Sequence, residues 1–269
     1  MSPQLTYYDL SPRVTAFSTT RHGGFSTGTY AELNVNAYCG DTQENIERNR
    51  HLLCTSLGIS DSSRLIIPHQ VHGTEVCQIT DDFLKMTEEE RRQLLEGIDA
   101  VMTDQQGICI GVSTADCIPV ILYDPVCHCA AAVHAGWRGT VARIVQKAVK
   151  AMAEAYSCEP AKLKAVIGPG ISCQNFEVGQ EVADLFREAG FPVESMLKLL
   201  PSTADSDSSP LTPHIDLPLC NRLQLEELGV PASAITDCAI CTFDHTDDYF
   251  SARKMGILSG RIYTGIVLR

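Results

Sequence analysis

The chain has 269 residues, enough to bury the core of one large domain or two small ones. Hydrophobic residues make up 44% and charged residues 20%, which is typical of a globular protein and argues against a disordered chain. With 21 basic and 33 acidic residues, the net charge of −12 disfavours partners such as nucleic acid or a membrane surface.

The first residues, MSPQLTYYDL, lack the basic start and apolar core of a signal peptide. No apolar run approaches the length of a membrane span. We therefore expect a soluble, cytoplasmic protein. In that compartment most of its 12 cysteines are expected to be reduced, buried thiols.

Apolar periodicity and capping residues predict the helices. In chain order they cover residues 41–57, 87–96, 141–152, 178–189 and 217–228. The strongest pattern places apolar residues on one face of the third helix, at Val141, Ile144, Val145, Ala148, Val149 and Met152. Gly58 is expected to end the first helix.

Short apolar runs predict the strands. They cover residues 65–67, 75–79, 100–103, 108–112, 119–122, 129–133, 164–167 and 261–268. Little helix separates those between residues 65 and 134, which favours an α+β fold with mixed sheets covered by helices. A Ser-, Asp- and Pro-rich stretch at 201–213 predicts a mobile surface loop. The segment after it is short, so we expect one domain over residues 1–269.

Three segments place a metal-type side chain at a strand end or turn, where active-site residues commonly gather. They carry His72, Cys117 and His134. The spacings between them are too long for a compact zinc motif, and a histidine in such a turn is often only a hydrogen-bonded structural residue. The spacing alone therefore does not decide whether the three residues share one metal site.

The sequence resembles the YfiH family, formerly described as multicopper polyphenol oxidases or laccases. The matching motifs run in family order from about residue 15 to the end of the chain. They include HQVHGTEV from residue 69, DAVMT from 99, STADCIPVILYD from 113, HAGWRG from 134 and CTFDHTDDYFSARK from 241. Ala252 and Lys254 depart from the family's usual aromatic residue and arginine at those positions.

The resemblance implies an α/β/β/α fold, with mixed sheets layered between helices, and a zinc site formed by the catalytic residues His72, Cys117 and His134. Three protein ligands would leave a fourth coordination position open for water; Cu²⁺ is the alternative metal. The implied activities are phosphorolysis of purine nucleosides (adenosine, inosine and methylthioadenosine) and deamination of adenosine. The partners would be a purine nucleoside and phosphate.

Phosphorolysis requires a site for an anion. Arg21 in a Gly-rich turn and Arg138 at a helix start are candidate phosphate contacts, with the N-terminus of the helix at 141–152 adding N–H donors. Ordinary surface ion pairs are the alternative for both arginines. Asp116 is a candidate to orient a ligand or substrate, and a turn cap is its alternative role.

Other functions remain open. Cys117 could be the nucleophile of a Cys–His hydrolase or deamidase. A copper-dependent phenol oxidase would need more histidines than the 8 present readily provide. The fourth hypothesis is a non-catalytic binding protein that is stabilised by a metal. The oligomeric state and the leaving-group acid stay undetermined.

Two further cysteine patterns are expected not to be metal sites. In the run 127–129, Cys-His-Cys, adjacent strand residues should face opposite sides and not meet one ion. Cys238 and Cys241 form a C-x-x-C without a second pair, so buried thiols are expected, with a redox pair as a minor alternative.

Overall fold

The computed structural model describes residues 2–202 and 211–269. Its strands are β1 Leu5–Tyr8, β2 Val14–Thr19, β3 Leu65–Ile66, β4 Glu75–Gln78, β5 Ile98–Thr103, β6 Cys109–Thr114, β7 Ile118–Asp124, β8 Cys129–Ala135, β9 Lys164–Ile167, β10 Leu197–Pro201, β11 Leu211–Ile215, β12 Ile235–Asp237 and β13 Ile262–Leu268. Its helices are α1 Gln43–Ser56, α2 Asp81–Lys85, α3 Glu88–Leu94, α4 Trp137–Val141, α5 Ile144–Tyr156, α6 Gln180–Glu188, α7 Val193–Met196, α8 Leu217–Glu227 and α9 Ala252–Met255.

Two mixed sheets form the centre of the molecule. The five-stranded sheet has the order β1-β2-β13-β6-β3, and the six-stranded sheet has the order β12-β9-β7-β8-β5-β4. Most neighbouring strands are antiparallel, while β3 and β6, β4 and β5, and β9 and β12 pair in parallel. Strands β10 and β11 form a separate antiparallel pair.

The two sheets pack face to face, and helices cover their outer faces. Ile110 of β6 and Ile121 of β7 belong to the apolar core between the sheets. On the outer side of the six-stranded sheet, Val145 of α5 belongs to a second core that also includes residues of α6 and α8. Leu53 of α1 packs over the five-stranded sheet. The predicted α+β fold with an α/β/β/α order of layers is therefore confirmed.

Local signals explain where several helices begin. Thr42 caps α1, and Thr87 forms a capping box with Glu90 at the start of α3. Asp216 caps α8 by accepting a hydrogen bond from the backbone N–H of Leu219. The helix predicted to begin at residue 141 instead begins at Ile144, because the left-handed backbone at Arg143 separates it from α4.

The prediction of a surface loop over residues 201–213 is wrong at both ends. Pro201 ends β10, and residues 211–213 lie in β11, where they pair with β10. Residues 203–210 of that prediction lie outside the described part of the chain. Composition marked the segment as polar, but strand pairing decides the structure of its ends. Among the described residues, no helix is long and apolar enough to cross a membrane.

Candidate metal and active site

The fold brings together three side chains that are distant in sequence. His72 lies in the loop between β3 and β4, Cys117 in the turn from β6 to β7, and His134 on β8. One donor atom of each lies within 4.8 Å of the donor atoms of the other two. The turn at Cys117 crosses from the five-stranded to the six-stranded sheet, so the three donors meet where the two sheets are joined.

Asp99 of β5 holds two of these segments in place. Its buried carboxylate accepts hydrogen bonds from the backbone N–H groups of Val71, His72 and Gly73, at 3.2, 3.0 and 2.7 Å. It also accepts one from Nδ1 of His134 at 2.7 Å. This bond fixes the ring tautomer and leaves Nε2 of His134 available to a metal. Asp99 begins the motif DAVMT, but the sequence alone assigns this residue no role.

A second contact ties the His72 loop to the strand that precedes Cys117. The side chain of Gln70 donates to the carbonyl of Ser113 at 2.9 Å and accepts from the N–H of Ser113 at 2.8 Å. His72 itself has a left-handed backbone with φ of 62°. The bonds to Asp99 and Gln70 hold the loop in this less common conformation.

The histidines beside Cys117 favour the thiolate form of its side chain. Burial opposes ionisation of Cys117, but the neighbouring His134 and His72 outweigh it and lower the pKa of the thiol to about 6. Burial likewise disfavours the charged form of His134, yet Cys117 and Asp99 raise its pKa to about 9. The thiolate is the form of cysteine that binds metals.

Gly136 has no side chain, and the three donor atoms meet in the space that a side chain would occupy. A Cβ atom at this position would lie 2.9 Å from Cδ2 of His72 and 3.0 Å from Sγ of Cys117. Any larger residue would therefore displace two candidate ligands. Two imidazoles and one thiolate form a donor set that suits zinc, and copper accepts the same types of ligand. The residues present thus fit a divalent metal, while its identity is not fixed by them.

The three side chains open onto a cavity of about 600 Å³. This volume lies in the range that holds a small organic molecule. Its wall includes the aromatic residues Tyr38 and Phe176 and the cationic residues Arg253 and Arg261. The cavity therefore joins a metal-type donor group to aromatic surface and positive charge.

Comparisons with known proteins agree with this architecture. A family model described as multi-copper polyphenol oxidoreductase laccase matches residues 15–269. The chain belongs to this family, the YfiH family. Protein YfiH of Bacillus licheniformis has a crystal structure that superposes with a TM-score of 0.89 at 27% identity, covering 100% of this chain and 97% of that one.

Relatives of this YfiH-family chain carry enzyme names. A protein named purine nucleoside phosphorylase from Bacteroides thetaiotaomicron is 40% identical over 266 residues, which cover 98% of this chain and 96% of that protein. A protein from an unknown prokaryotic organism, named adenosine deaminase RL5, is 38% identical over 253 residues, which cover 94% of this chain and 93% of that protein.

The predicted substrate residues lie in different places in this YfiH-family chain. The guanidinium of Arg21 donates to the carbonyls of Ala31 and Thr246, and Arg138 is exposed and stacks over Trp137. Neither is among the described residues that line the cavity. Asp116 does line it, but its two carboxylate oxygens accept bonds from Thr242 Oγ1 and from the N–H of Arg253, both at 2.7 Å.

Arg253 and Arg261 were not predicted as site residues. Arg253 donates twice to the carbonyl of Glu177, and Arg261 donates to the carbonyls of Ser259, Gly260 and Ile257. Within the described part of the chain, neither guanidinium forms an ion pair with a carboxylate. The run SARK in the last matching motif was the one sequence signal that pointed to Arg253.

The C-x-x-C pair lies apart from the three donors. Cys241 is buried, and its sulfur accepts hydrogen bonds from the N–H of Ser172 and from Asn175. Cys238 is half-buried, and both residues are free thiols. Neither belongs to a group of metal-type donors among the described residues.

Proposed function

We propose that this chain is a zinc-dependent purine nucleoside enzyme. It splits adenosine, inosine and methylthioadenosine with phosphate into the free base and a ribose 1-phosphate, and it deaminates adenosine to inosine. The observation that carries the proposal is one cavity that joins the donor group of His72, Cys117 and His134 to two cationic side chains. The names of the relatives, purine nucleoside phosphorylase and adenosine deaminase, support the choice of substrate.

His72, Cys117 and His134 would hold the metal, and Asp99 would keep His134 oriented. A bound zinc ion supplies a Lewis acid that makes water reactive near neutral pH. Deamination adds the oxygen of water to C6 of the purine, and the amino group leaves as ammonia. The protein's part is to place C6 beside the metal site, and Tyr38 and Phe176 offer the aromatic surface for the base.

Phosphorolysis uses the cationic part of the same cavity. A phosphate oxygen attacks C1′ of the ribose while the bond from C1′ to the purine nitrogen breaks. Arg253 and Arg261 would grip the phosphate, since guanidinium groups bind oxyanions through paired hydrogen bonds. The backbone carbonyls they contact fix their position without neutralising their charge.

Two hydroxyl groups in the cavity wall suit the ribose. Ser113 Oγ and Thr114 Oγ1 are buried and have no hydrogen-bond partner among the described residues. Buried hydroxyls normally form hydrogen bonds. A polar ligand that bonds to these two would therefore remove the free-energy cost of leaving them without a partner. They are therefore proposed contacts for ribose hydroxyls or phosphate oxygens.

A Cys–His hydrolase is the second candidate, and one observation favours it. The pKa of the Cys117 thiol is lowered to about 6 by the adjacent histidines, as expected of a cysteine nucleophile. Iodoacetamide distinguishes the two roles. A metal ligand would be labelled only after chelation, whereas a nucleophile would be labelled rapidly in the zinc-loaded protein.

The copper oxidase suggested by the older family description has less support. Such enzymes hold several copper ions through many histidines. Of the histidines among the described residues, only His72 and His134 belong to a group of metal-type donors. Copper-dependent oxygen uptake with a phenol, at a rate matching nucleoside turnover, would favour it.

The test of the proposal is a product assay on zinc-loaded protein. We expect inosine and ammonia from adenosine without phosphate, and adenine with ribose 1-phosphate only when phosphate is added. The Cys117→Ser variant should give neither set of products. Folded, zinc-loaded protein that converts none of the three nucleosides would contradict the proposal.

A further inference from the structure

A second group of metal-type donors lies at the turn between β7 and β8. Asp124 ends β7, Cys127 lies in the turn, and Cys158 follows α5. One donor atom of each lies within 4.8 Å of the donor atoms of the other two. Cys117 and His134 lie near the opposite end of this hairpin. At 3.3 Å per strand residue, the two groups are about 20 Å apart.

The carboxylate of Asp124 points to a bound cation. The residue is fully buried, and its Oδ1 accepts hydrogen bonds from the N–H groups of Val126 and Cys127 at 2.7 and 3.0 Å. Its Oδ2 is also buried but has no hydrogen-bond partner among the described residues. Buried carboxylates are normally paired or bound to a metal. The described part of the chain gives Asp124 no ion pair.

Cys129 is the candidate for a fourth donor. It lies directly opposite Asp124 in the pairing of β7 with β8, and its Sγ is 3.1 Å from Sγ of Cys158. The sulfur of Cys129 therefore lies beside the group of Asp124, Cys127 and Cys158, although only those three have donor atoms that all lie within 4.8 Å of one another. Structural zinc sites are four-coordinate and closed, and they use these ligand types.

The intervening histidine is not part of the group. His128 has a left-handed backbone, and its Nδ1 lies 3.1 Å from the hydroxyl of Tyr123. The alternation of side chains along a strand argued that residues 127–129 could not all meet one ion. That argument holds for His128, but the turn places Cys127 and Cys129 on the side of Cys158.

We propose that Asp124, Cys127, Cys129 and Cys158 form a structural zinc site. It would join the β7–β8 turn to the chain just after α5, and it would leave no open position for a substrate. The ion would also satisfy Oδ2 of Asp124. This inference does not depend on the proposed nucleoside activity, because it concerns the other end of the hairpin.

The zinc content of the full-length protein tests this proposal. The protein is loaded with zinc sulfate in a non-thiol reductant, freed of excess metal and measured by native mass spectrometry. We expect two zinc ions in the wild type, one in Cys158→Ser, one in Cys117→Ser and none in the double variant. Cys238→Ser, which changes a half-buried cysteine outside both groups, should retain two.

If Cys158→Ser fails to fold, Cys127→Ser gives the same readout from a half-buried turn position. A wild type that binds a single zinc, lost in Cys117→Ser but kept in Cys127→Ser, would overturn the proposal. A disulfide between Cys129 and Cys158 in the purified protein, with no second zinc after reduction, would also overturn it.

Discussion

The two ends of the β7–β8 hairpin gather metal-type donors in different ways. At one end, His72, Cys117 and His134 come from three separate segments and face a cavity of about 600 Å³. At the other end, three of the four proposed donors lie within residues 124–129, and none of the four lines that cavity. Access to a cavity, more than the type of ligand, therefore separates a candidate catalytic centre from a candidate structural one.

The largest effect is expected from removing the thiolate at the cavity end. Cys117→Ser should lower both deamination and phosphorolysis by more than about 100-fold, since changing even an indirect partner of a metal costs about 10- to 100-fold. Product formation from adenosine with and without phosphate measures this. Cys238→Ser is the matched control. Equal losses in the two variants would contradict a specific role for the Cys117 thiolate.

The next largest effect is expected from changing the buried carboxylate at each end, Asp99 at the cavity and Asp124 at the turn. Asp99→Asn should weaken zinc binding at the cavity end by about 10- to 100-fold, because His134 loses its charged partner. Breaking this buried pair should also lower the free energy of unfolding by about 3–5 kcal/mol. Zinc titration and urea denaturation measure these changes. Asp124→Asn is the counterpart at the turn end and should leave zinc affinity at the cavity end unchanged.

A smaller and more selective effect is expected at the cationic wall. Arg253→Gln should lower phosphorolysis about 10-fold, since one hydrogen bond to a charged group contributes about 1.5–3 kcal/mol. Deamination should change less than about twofold, because it uses no phosphate. The two rates are compared with those of Arg222→Gln, which alters an ion pair on α8. Equal losses of both reactions in Arg253→Gln would contradict a role in binding phosphate.

The two ends should also differ in the pH dependence of thiol alkylation. In metal-free protein the pKa of Cys117 is lowered to about 6, so its thiolate is lost as pH falls below that value. Its reaction with iodoacetamide should be about tenfold slower at one pH unit below that pKa than at high pH. At the turn end, burial and the nearby Asp124 raise the pKa of Cys127, so its reaction should require alkaline pH. Peptide mapping of the label distinguishes the two cysteines.

The smallest effect on turnover is expected from the turn end itself. Cys127→Ser should change nucleoside turnover by less than about twofold, because the residue lies far from the cavity. It should lower the melting temperature only when zinc is present, since the loss is that of a bound ion. Thermal unfolding with and without a chelator measures this. An equal decrease in both conditions would indicate a packing defect.

Much of the fold follows from local sequence. The apolar runs of β6, β7 and β8 predicted the central strands, because strands buried on both faces carry few polar residues. The strands β1 and β2 were not predicted, although β2 pairs with the C-terminal strand β13. Such long-range pairing leaves no signature in the separate segments. The prediction of one domain over residues 1–269 stays a prediction.

The residues of the site could be predicted only where the family resemblance gives them a role. His72, Cys117 and His134 were chosen through the family resemblance, and their spacing alone would not have joined them. Asp99 was missed because nothing in its local sequence shows that three N–H groups and an imidazole converge on it. Arg21 was chosen for its glycine-rich neighbours, yet its guanidinium binds backbone carbonyls.

Anomalous X-ray diffraction at the zinc edge, on crystals of the zinc-loaded protein, shows directly whether His72, Cys117 and His134 bind one metal ion. We expect a peak about 2.3 Å from Sγ of Cys117 and about 2.0 Å from an imidazole nitrogen of both His72 and His134. Well-ordered crystals that show no zinc peak at this group, or a peak that bonds to fewer than two of these three side chains, would contradict a metal site at the cavity.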